Sequence, residues 1–370
     1  MLVCKELGRL YLPFQFMAYP IADLTSVISD LMWAEERGGT MTFIDNLYNI
    51  TYLGLLIGLI FGEVVEANLV TLGCLDLLAS FIYFLMVWAW VECKGWLSPY
   101  RKGLLRSLSV RNWKLVKSIV TMSFPLTIGG IVSTCEWELL TIFAAHMGGS
   151  EVAAWTILGS IWGIFEYFPT GFTTAAELRV SRHLGNRRPG MAKIAAYKSM
   201  IYSIVSTAII TFCFCYYRYE LIGLYTNEDE IEEMLNDLVL LVGIANMVMV
   251  IGVMAYTILC AQNRTNLATG TYAFLSFATT LPMSVYFVFF GDYGLQSIVF
   301  SLIVGYSLSS LILVVFLLTT NWRRCSEAVV RKAAKTQEEQ ARLSRAKEKK
   351  RRAKEAQKDI ESRFKFVTIP

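Results

Sequence analysis

Three carboxylates stand inside long apolar stretches of this 370-residue chain. The run STCEWELL sets Glu136 and Glu138 within one such stretch. Glu166 falls near the middle of the next, three residues before Pro169. A charge at the middle of a bilayer costs about 2.5–3.5 kcal/mol on insertion scales, so an acid at that depth marks a functional site by default. A carboxyl group held out of water can alternate between carrying a proton and carrying a cation. That is the minimum machinery for exchanging the two across a membrane.

Residues two apart on a helix differ in direction by about 200°, so Glu136 and Glu138 cannot both face one cavity. Thr127, Thr134, Glu138, Thr141 and Ala145 form a small, hydroxyl-bearing stripe. The Glu136 stripe of Gly129, Ser133, Leu140 and Phe143 has the look of a packing face. Glu138, with Thr134 and Thr141 beside it, is therefore the first expectation for the cavity carboxylate, and Glu136 the second. On the following helix Gly159, Gly163, Glu166, Thr170, Thr173 and Glu177 share a face, and Pro169 predicts a kink with free carbonyls. Asn246 and Tyr256 are candidate polar contacts from a later span. The rings of Trp137, Trp155, Trp162 and Tyr167 could face a flat cation, although interfacial anchoring explains them as simply.

Other chemistries lack support. The eight cysteines are scattered and form no CxxC pair, and the two histidines, His146 and His183, have no partner pattern. No nucleophile elbow or phosphate-binding loop occurs, so the chain is expected to be neither an enzyme nor a holder of metal or cofactor, and nothing in it calls for nucleic acid.

The elements that would position these acids are membrane helices. The chain is 55% hydrophobic and 17% charged, against about 25% charge in ordinary soluble domains. A bilayer takes about 20 apolar residues to cross. Eight spans are expected, near 44–65, 68–91, 119–147, 152–177, 194–217, 237–260, 267–290 and 294–319. A ninth at 10–33 is weakened by Asp23 and Asp30. No cleavable leader is legible in MLVCKELGRL. Residues 321–370 hold 16 of the 34 Lys and Arg but only 7 of the 30 Asp and Glu. Their KEKKRRAKEAQK stretch reads as a solvated helix that could also meet anionic lipids.

Loop charges alternate from Val91 onward. Lys94, Arg101, Lys102, Arg106, Arg111, Lys114 and Lys117 crowd one loop, and Arg179, Arg182, Arg187, Arg188, Lys193 and Lys198 another. The loops between carry Glu151, then TNEDEIEEMLND, then Asp292. The positive-inside rule makes the basic loops, and with them the tail, cytoplasmic. The segments Leu12–Val91 and Leu238–Leu318 also repeat one order: helix, short loop ending in Thr, Gly- or Pro-bearing helix, acidic turn, long helix.

SFPLTIGGIVSTCEWELL, MGGSEVAAWTIL and FPTGFTTAAELRVSRHLGNRRPGMAK together resemble the second half of the multidrug and toxic compound extrusion (MATE) family. Pro169, Gly171, Ala175, Arg179, Val180, Ser181, Leu184 and Gly185 stand where that family's exit motif puts them. LPMSVYFVF and GDYGLQSIVFSLIVGYS are similar to its closing pair of helices. The resemblance covers about Leu10–Thr320 and implies an all-α, multi-pass helical bundle. It would have a complete second six-helix lobe and about half of the first, lacking the first three helices. The divisions expected are 1–92 for the partial first lobe, 93–118 for a cytoplasmic linker, 119–320 for the second lobe and 321–370 for the tail.

The same resemblance implies an antiporter that exports small organic cations in exchange for protons or sodium, in the plasma membrane or an organellar (vacuolar) membrane. Arg182 replaces the usual Asn of the family's exit motif, and the two acids, five apart in the eukaryotic members, are two apart here. Counting back from Pro169 puts Glu138 on the second acid. Aligning CEW puts Glu136 on the first. A truncated, non-transporting membrane scaffold acting through its basic tail is the alternative reading.

Overall fold

The computed structural model describes residues 2–61, 68–100, 113–291 and 293–335, together with 338 and 342. Every regular element among them is a helix. In order they are α1 (Leu2–Ala34), α2 (Gly38–Phe61), α3 (Leu69–Cys93), α4 (Trp113–Met147), α5 (Gly149–Gly185) and α6 (Pro189–Tyr216). A five-residue α7 (Arg218–Ile222) leads to α8 (Asp229–Ala261), α9 (Thr265–Leu275) and a π turn (Ser276–Thr280). Then come α10 (Leu281–Phe290), α11 (Gln296–Leu318) and α12 (322–335). Parts of the basic loop (Arg101, Lys102, Arg106 and Arg111), Asp292 and the KEKKRRAKEAQK stretch lie outside the described residues.

Six of these helices are long and apolar enough to cross a membrane: Val70–Cys93, Ile119–Met147, Pro189–Tyr216, Asp229–Ala261, Thr265–Phe290 and Gln296–Leu318. The spans expected at 10–33, 44–65 and 152–177 are helical too, as α1, α2 and α5, but fall outside that set. Their composition explains the difference. Asp23 and Asp30 interrupt α1 and are both exposed, Asp45, Asn46 and Asn49 crowd the first half of α2, and α5 mixes glycine, hydroxyl and carboxylate residues into its apolar run. Residues 62–65 of the second of these spans are not among those described.

The chain divides into two compact units, Met1–Ser118 and Ile119–Pro370. In the first, Met32, Met41, Ile44, Val87 and Val91 bury one apolar cluster between α1, α2 and α3. Two acids of that unit are held by phenols and an amide: Asp76 accepts from Tyr52 Oη and from Gln15 Nε2 at 3.1 Å, and Asp45 accepts from Tyr83 Oη. In the second, α5, α8 and α11 supply a core of Trp155, Leu158, Trp162, Leu238, Val242, Ile298 and Leu302. Large apolar side chains such as Phe212, Leu240 and Phe290 point outward, as they must where the surroundings are lipid rather than water.

Helix ends show how tight the connections are. Glu36, Arg187 and Asn263 take left-handed φ values of 64°, 57° and 62°, the conformation in which a helix commonly terminates. Inside the helices, hydroxyls return to their own backbone. Thr127 Oγ1 donates to the Ser123 carbonyl, Thr141 Oγ1 to Trp137 and Thr156 Oγ1 to Val152. A threonine can thus sit on an apolar face with its hydrogen bond already made.

Trp155 links α4 and α5. It is 1% exposed, stacks on Trp137 at 4.8 Å and donates Nε1–H to Thr141 Oγ1 at 3.0 Å. Trp155→Phe keeps most of the ring and removes that donor, so thermal unfolding in detergent should show a loss of about 1 kcal/mol. Trp155→Ala, which opens a cavity, should cost about 3–5 kcal/mol. Equal losses for the two would mean that packing at this joint contributes nothing beyond the hydrogen bond.

Candidate functional site

The second unit holds a cavity of about 280 Å³ between α4, α5, α8, α9 and α11. Gly129, Gly130 and Ser133 of α4 form one wall, Glu166 another, and Gly252, Tyr256, Tyr272, Tyr306, Ser309 and Ser310 complete it. The glycines permit the close walls. A Cβ on Gly129 would come 3.2 Å from Thr269 Cγ2 and 3.3 Å from Tyr256 Oη. One on Gly252 would overlap Ser310 Oγ, whose hydroxyl donates to the Val248 carbonyl at 2.9 Å.

Glu136 lies immediately behind this wall and is 2% exposed. Tyr272 Oη donates to Glu136 Oε2 at 3.2 Å and lies 3.5 Å from Ser133 Oγ. The hydroxyls of Ser276 and Thr280, on the π turn, flank the same carboxylate. Glu136 Oε1, Ser276 Oγ and Thr280 Oγ1 are buried without a hydrogen-bond partner. The stretch of helix that presents them winds wider than an α-helix because its bonds run i→i+5. That offsets the drift of a four-residue spacing and keeps Tyr272, Ser276 and Thr280 on one side. Pro282 follows directly, in the first turn of α10.

Three further features enclose the site. Gly305 of α11 abuts Thr280, so that a Cβ there would overlap Thr280 Oγ1. Tyr256 shares a 3.0 Å hydrogen bond with Thr269 Oγ1, and its ring meets that of Tyr272 at 6.5 Å. Tyr306 stands edge-on to Trp162 at 6.5 Å. The cavity is therefore walled mostly by ring faces and small residues, with a few convergent polar groups. This is the composition expected of a small-molecule site.

Of the residues singled out in the sequence, the structure brings Glu136, Glu166 and Tyr256 to this region. Glu138 and Thr134 are exposed and away from the cavity wall. Thr141 is occupied by Trp155 and its own backbone, and Asn246 is buried against Thr211, to which Nδ2 donates at 3.3 Å. Glu136, on the face that reads as packing, is the enclosed acid, and Glu138, on the hydroxyl-bearing stripe, is exposed. Two threonines of that stripe, Thr127 and Thr141, donate to their own backbone. Tyr272, Ser276 and Tyr306 were not singled out. The cluster SFATT before Pro282 is the one local signal that could have found the π turn.

The MatE family model matches residues 125–286, the segment that carries Glu136, Glu166, Tyr272 and the π turn. Over that segment the chain is similar to the MatE family. Members of this family are transporters, not enzymes. Among relatives, "Protein DETOXIFICATION 56" of Arabidopsis thaliana is 24% identical over 240 residues, covering 61% of this chain and 46% of that one. A "Probable multidrug resistance protein NorM" of Neisseria meningitidis serogroup B is 21% identical over 144 residues, covering 39% of this chain and 31% of that one. The crystal structure of the eukaryotic MATE transporter AtDTX14 shares the fold, with a TM-score of 0.74, 13% identity and coverage of 88% of this chain and 79% of that one. The chain spans less than half the length of these two curated relatives.

Proposed function

We propose that this chain is a MATE-type secondary antiporter that exports small organic cations in exchange for protons or sodium. The observation that carries the reading is Glu136, a buried acid with one oxygen held by Tyr272 and the other unpartnered between two hydroxyls. It has no ion-pair partner among the described residues. A lone carboxylate at that depth needs a proton or a cation to balance its charge. Exchanging one for the other is the coupling step. Oxygen ligands from a carboxylate and two hydroxyls suit a small hard cation, and the same acid suits a proton. The adjoining cavity, with Glu166 and the faces of Tyr256, Tyr272 and Tyr306, suits a flat organic cation. Thr134, Thr141, Glu138 and Asn246 play no direct part in this scheme. The names of the relatives, a multidrug resistance protein and detoxification proteins, agree with it.

The protein is read as multi-pass in the plasma membrane or an organellar membrane, with the tail on the cytoplasmic side. The alternating loop charges support that orientation. The full chain reconstituted into liposomes should accumulate a fluorescent organic cation when a pH or sodium gradient is imposed, and whichever gradient drives uptake names the coupling ion. Uptake that is the same with neither gradient, with one and with the other would refute coupled exchange.

A further inference from the structure

A basic cavity lies at one end of the second unit, apart from the central site. It is bounded by Arg187 and Pro189, where α6 begins, and by one face of α12. The α6 span starts at Pro189 and the α11 span closes at Leu318. The cavity therefore sits where two membrane helices meet water at the same boundary. The chain then turns from α11 into α12, and α12 is fastened back onto the bundle. Trp322 is 8% exposed and packs with Val180, Leu184 and Ala192, while Ser326 Oγ donates to the Leu184 carbonyl at 2.7 Å. Arg264 donates to Thr320 Oγ1 at 2.9 Å just before it.

With that face fixed, the neighbouring face is presented to the cavity: Arg323, Glu327, Val330, Arg331 and Ala334. These follow the i, i+4, i+7 and i+8, i+11 spacing of one helix side. With Arg187 they enclose about 540 Å³. Arg187, Arg323 and Arg331 are exposed, and none has an ion-pair partner among the described residues. Among the described residues the cavity sets one carboxylate, Glu327, against three guanidinium groups.

The backbone at Arg187 adds an independent observation. Arg188 N–H bonds to the His183 carbonyl at 2.9 Å and Arg187 N–H to Leu184 at 3.2 Å. This is the doubly bonded helix ending whose left-handed position is usually taken by glycine. Here it is an arginine, with φ 57°. A side chain held in that conformation carries a backbone cost, and such costs gather at sites that use them. Guanidinium groups match phosphate oxygens two at a time, which ammonium groups do not.

We propose that this cavity binds a phosphate group, and that at a membrane boundary its source is the headgroup of an anionic phospholipid. The proposal rests on Arg187, Arg323 and Arg331 and on none of the Lys/Arg-rich stretch at 347–358. The test uses the full chain purified in detergent and titrated with phosphatidic acid, with phosphatidylcholine and with inorganic phosphate, bound species being counted by native mass spectrometry. Phosphatidic acid should bind in preference to phosphatidylcholine. Neutralising all three arginines (R187Q, R323Q and R331Q together) should weaken it by roughly tenfold or more, since each basic residue near the surface contributes appreciably. Glu327→Gln, which removes the opposing charge, should strengthen it by roughly two- to fivefold. A gain of binding cannot come from misfolding.

Neutralising Lys349, Lys350, Arg351 and Arg352 to Gln should leave the affinity within about twofold if the three arginines named above carry the binding. Much tighter retention of phosphatidic acid than of inorganic phosphate assigns the source to the headgroup. Comparable binding of the two assigns it to free phosphate and still supports the site. The proposal is overturned if phosphatidylcholine binds as well as phosphatidic acid. It is equally overturned if the triple variant binds like the parent, if Glu327→Gln weakens binding, or if the 349–352 variant loses as much as the triple one.

Discussion

Glu136→Gln should abolish cation exchange in liposomes while leaving the protein folded. The substitution keeps the size of the side chain and its hydrogen bond with Tyr272, now accepted by the amide oxygen. It removes only the capacity to ionise. If the enclosed acid couples the two ions, transport falls to the rate of protein-free vesicles, a loss of roughly 100-fold or more, as expected where one group performs the exchange step. Thermal stability should change by no more than about 1 kcal/mol, because a buried charge is replaced by a neutral group of similar shape. Glu138 is exposed, so Glu138→Gln should keep most of the activity. The two variants thus separate the enclosed acid from its neighbour two residues on. Full activity in Glu136→Gln, or loss in Glu138→Gln alone, would move the coupling site to the other acid. Glu166→Gln bears on substrate rather than coupling: it should raise the concentration of cation needed for half-maximal uptake more than it slows the maximal rate.

Gly305→Val should be nearly as damaging, by a different route. Gly305 lets α11 lie against the π turn. A Cβ there overlaps Thr280 Oγ1 and stands 3.1 Å from Thr280 Cβ. Thr280 is fully buried, so it has little room to yield. The two γ-methyls of valine would force α11 and the π turn apart, at about 1–3 kcal/mol for overpacking. The displaced Thr280 would leave Glu136 with one hydroxyl fewer. Gly305→Ala is the finer probe. It should turn Thr280 Oγ1 away from the carboxylate and cut exchange roughly tenfold, a loss of about 1.4 kcal/mol in transition-state terms. Thr280→Ala added to Gly305→Ala should restore thermal stability by relieving the overlap, but not transport. A valine variant as stable and as active as the parent would show that the contact between α11 and the π turn plays no part.

Much of the architecture was legible in the residues themselves. Apolar runs of bilayer length require helices, because a backbone in lipid must satisfy its own hydrogen bonds. That physical compulsion acts locally, and so α3, α4, α6, α8 and α11 fall where composition places them. The motifs around Pro125–Tyr286 likewise pointed to the family, and the family model matches that segment. The choice between Glu136 and Glu138 was of another kind. A helix that is apolar on every side has no dominant face, so its periodicity does not say which side turns inward. The hydroxyls that seemed to mark a cavity were bonding their own backbone.

The enclosure of Glu136 depends on a partner far along the chain. Tyr272 reaches Glu136 from a helix 136 residues away, and the π turn sets Ser276 and Thr280 on the same side. Gly305 brings α11 close enough to close the site. The basic cavity arose in the same way: Arg187 and Arg331 are 144 positions apart, and they share a wall only because Trp322 and Ser326 fasten α12 to the bundle. Helix formation is a property of a segment and its solvent, whereas the azimuth of each helix is set by the fit of side chains from several segments at once, and that fit exists only in the folded protein.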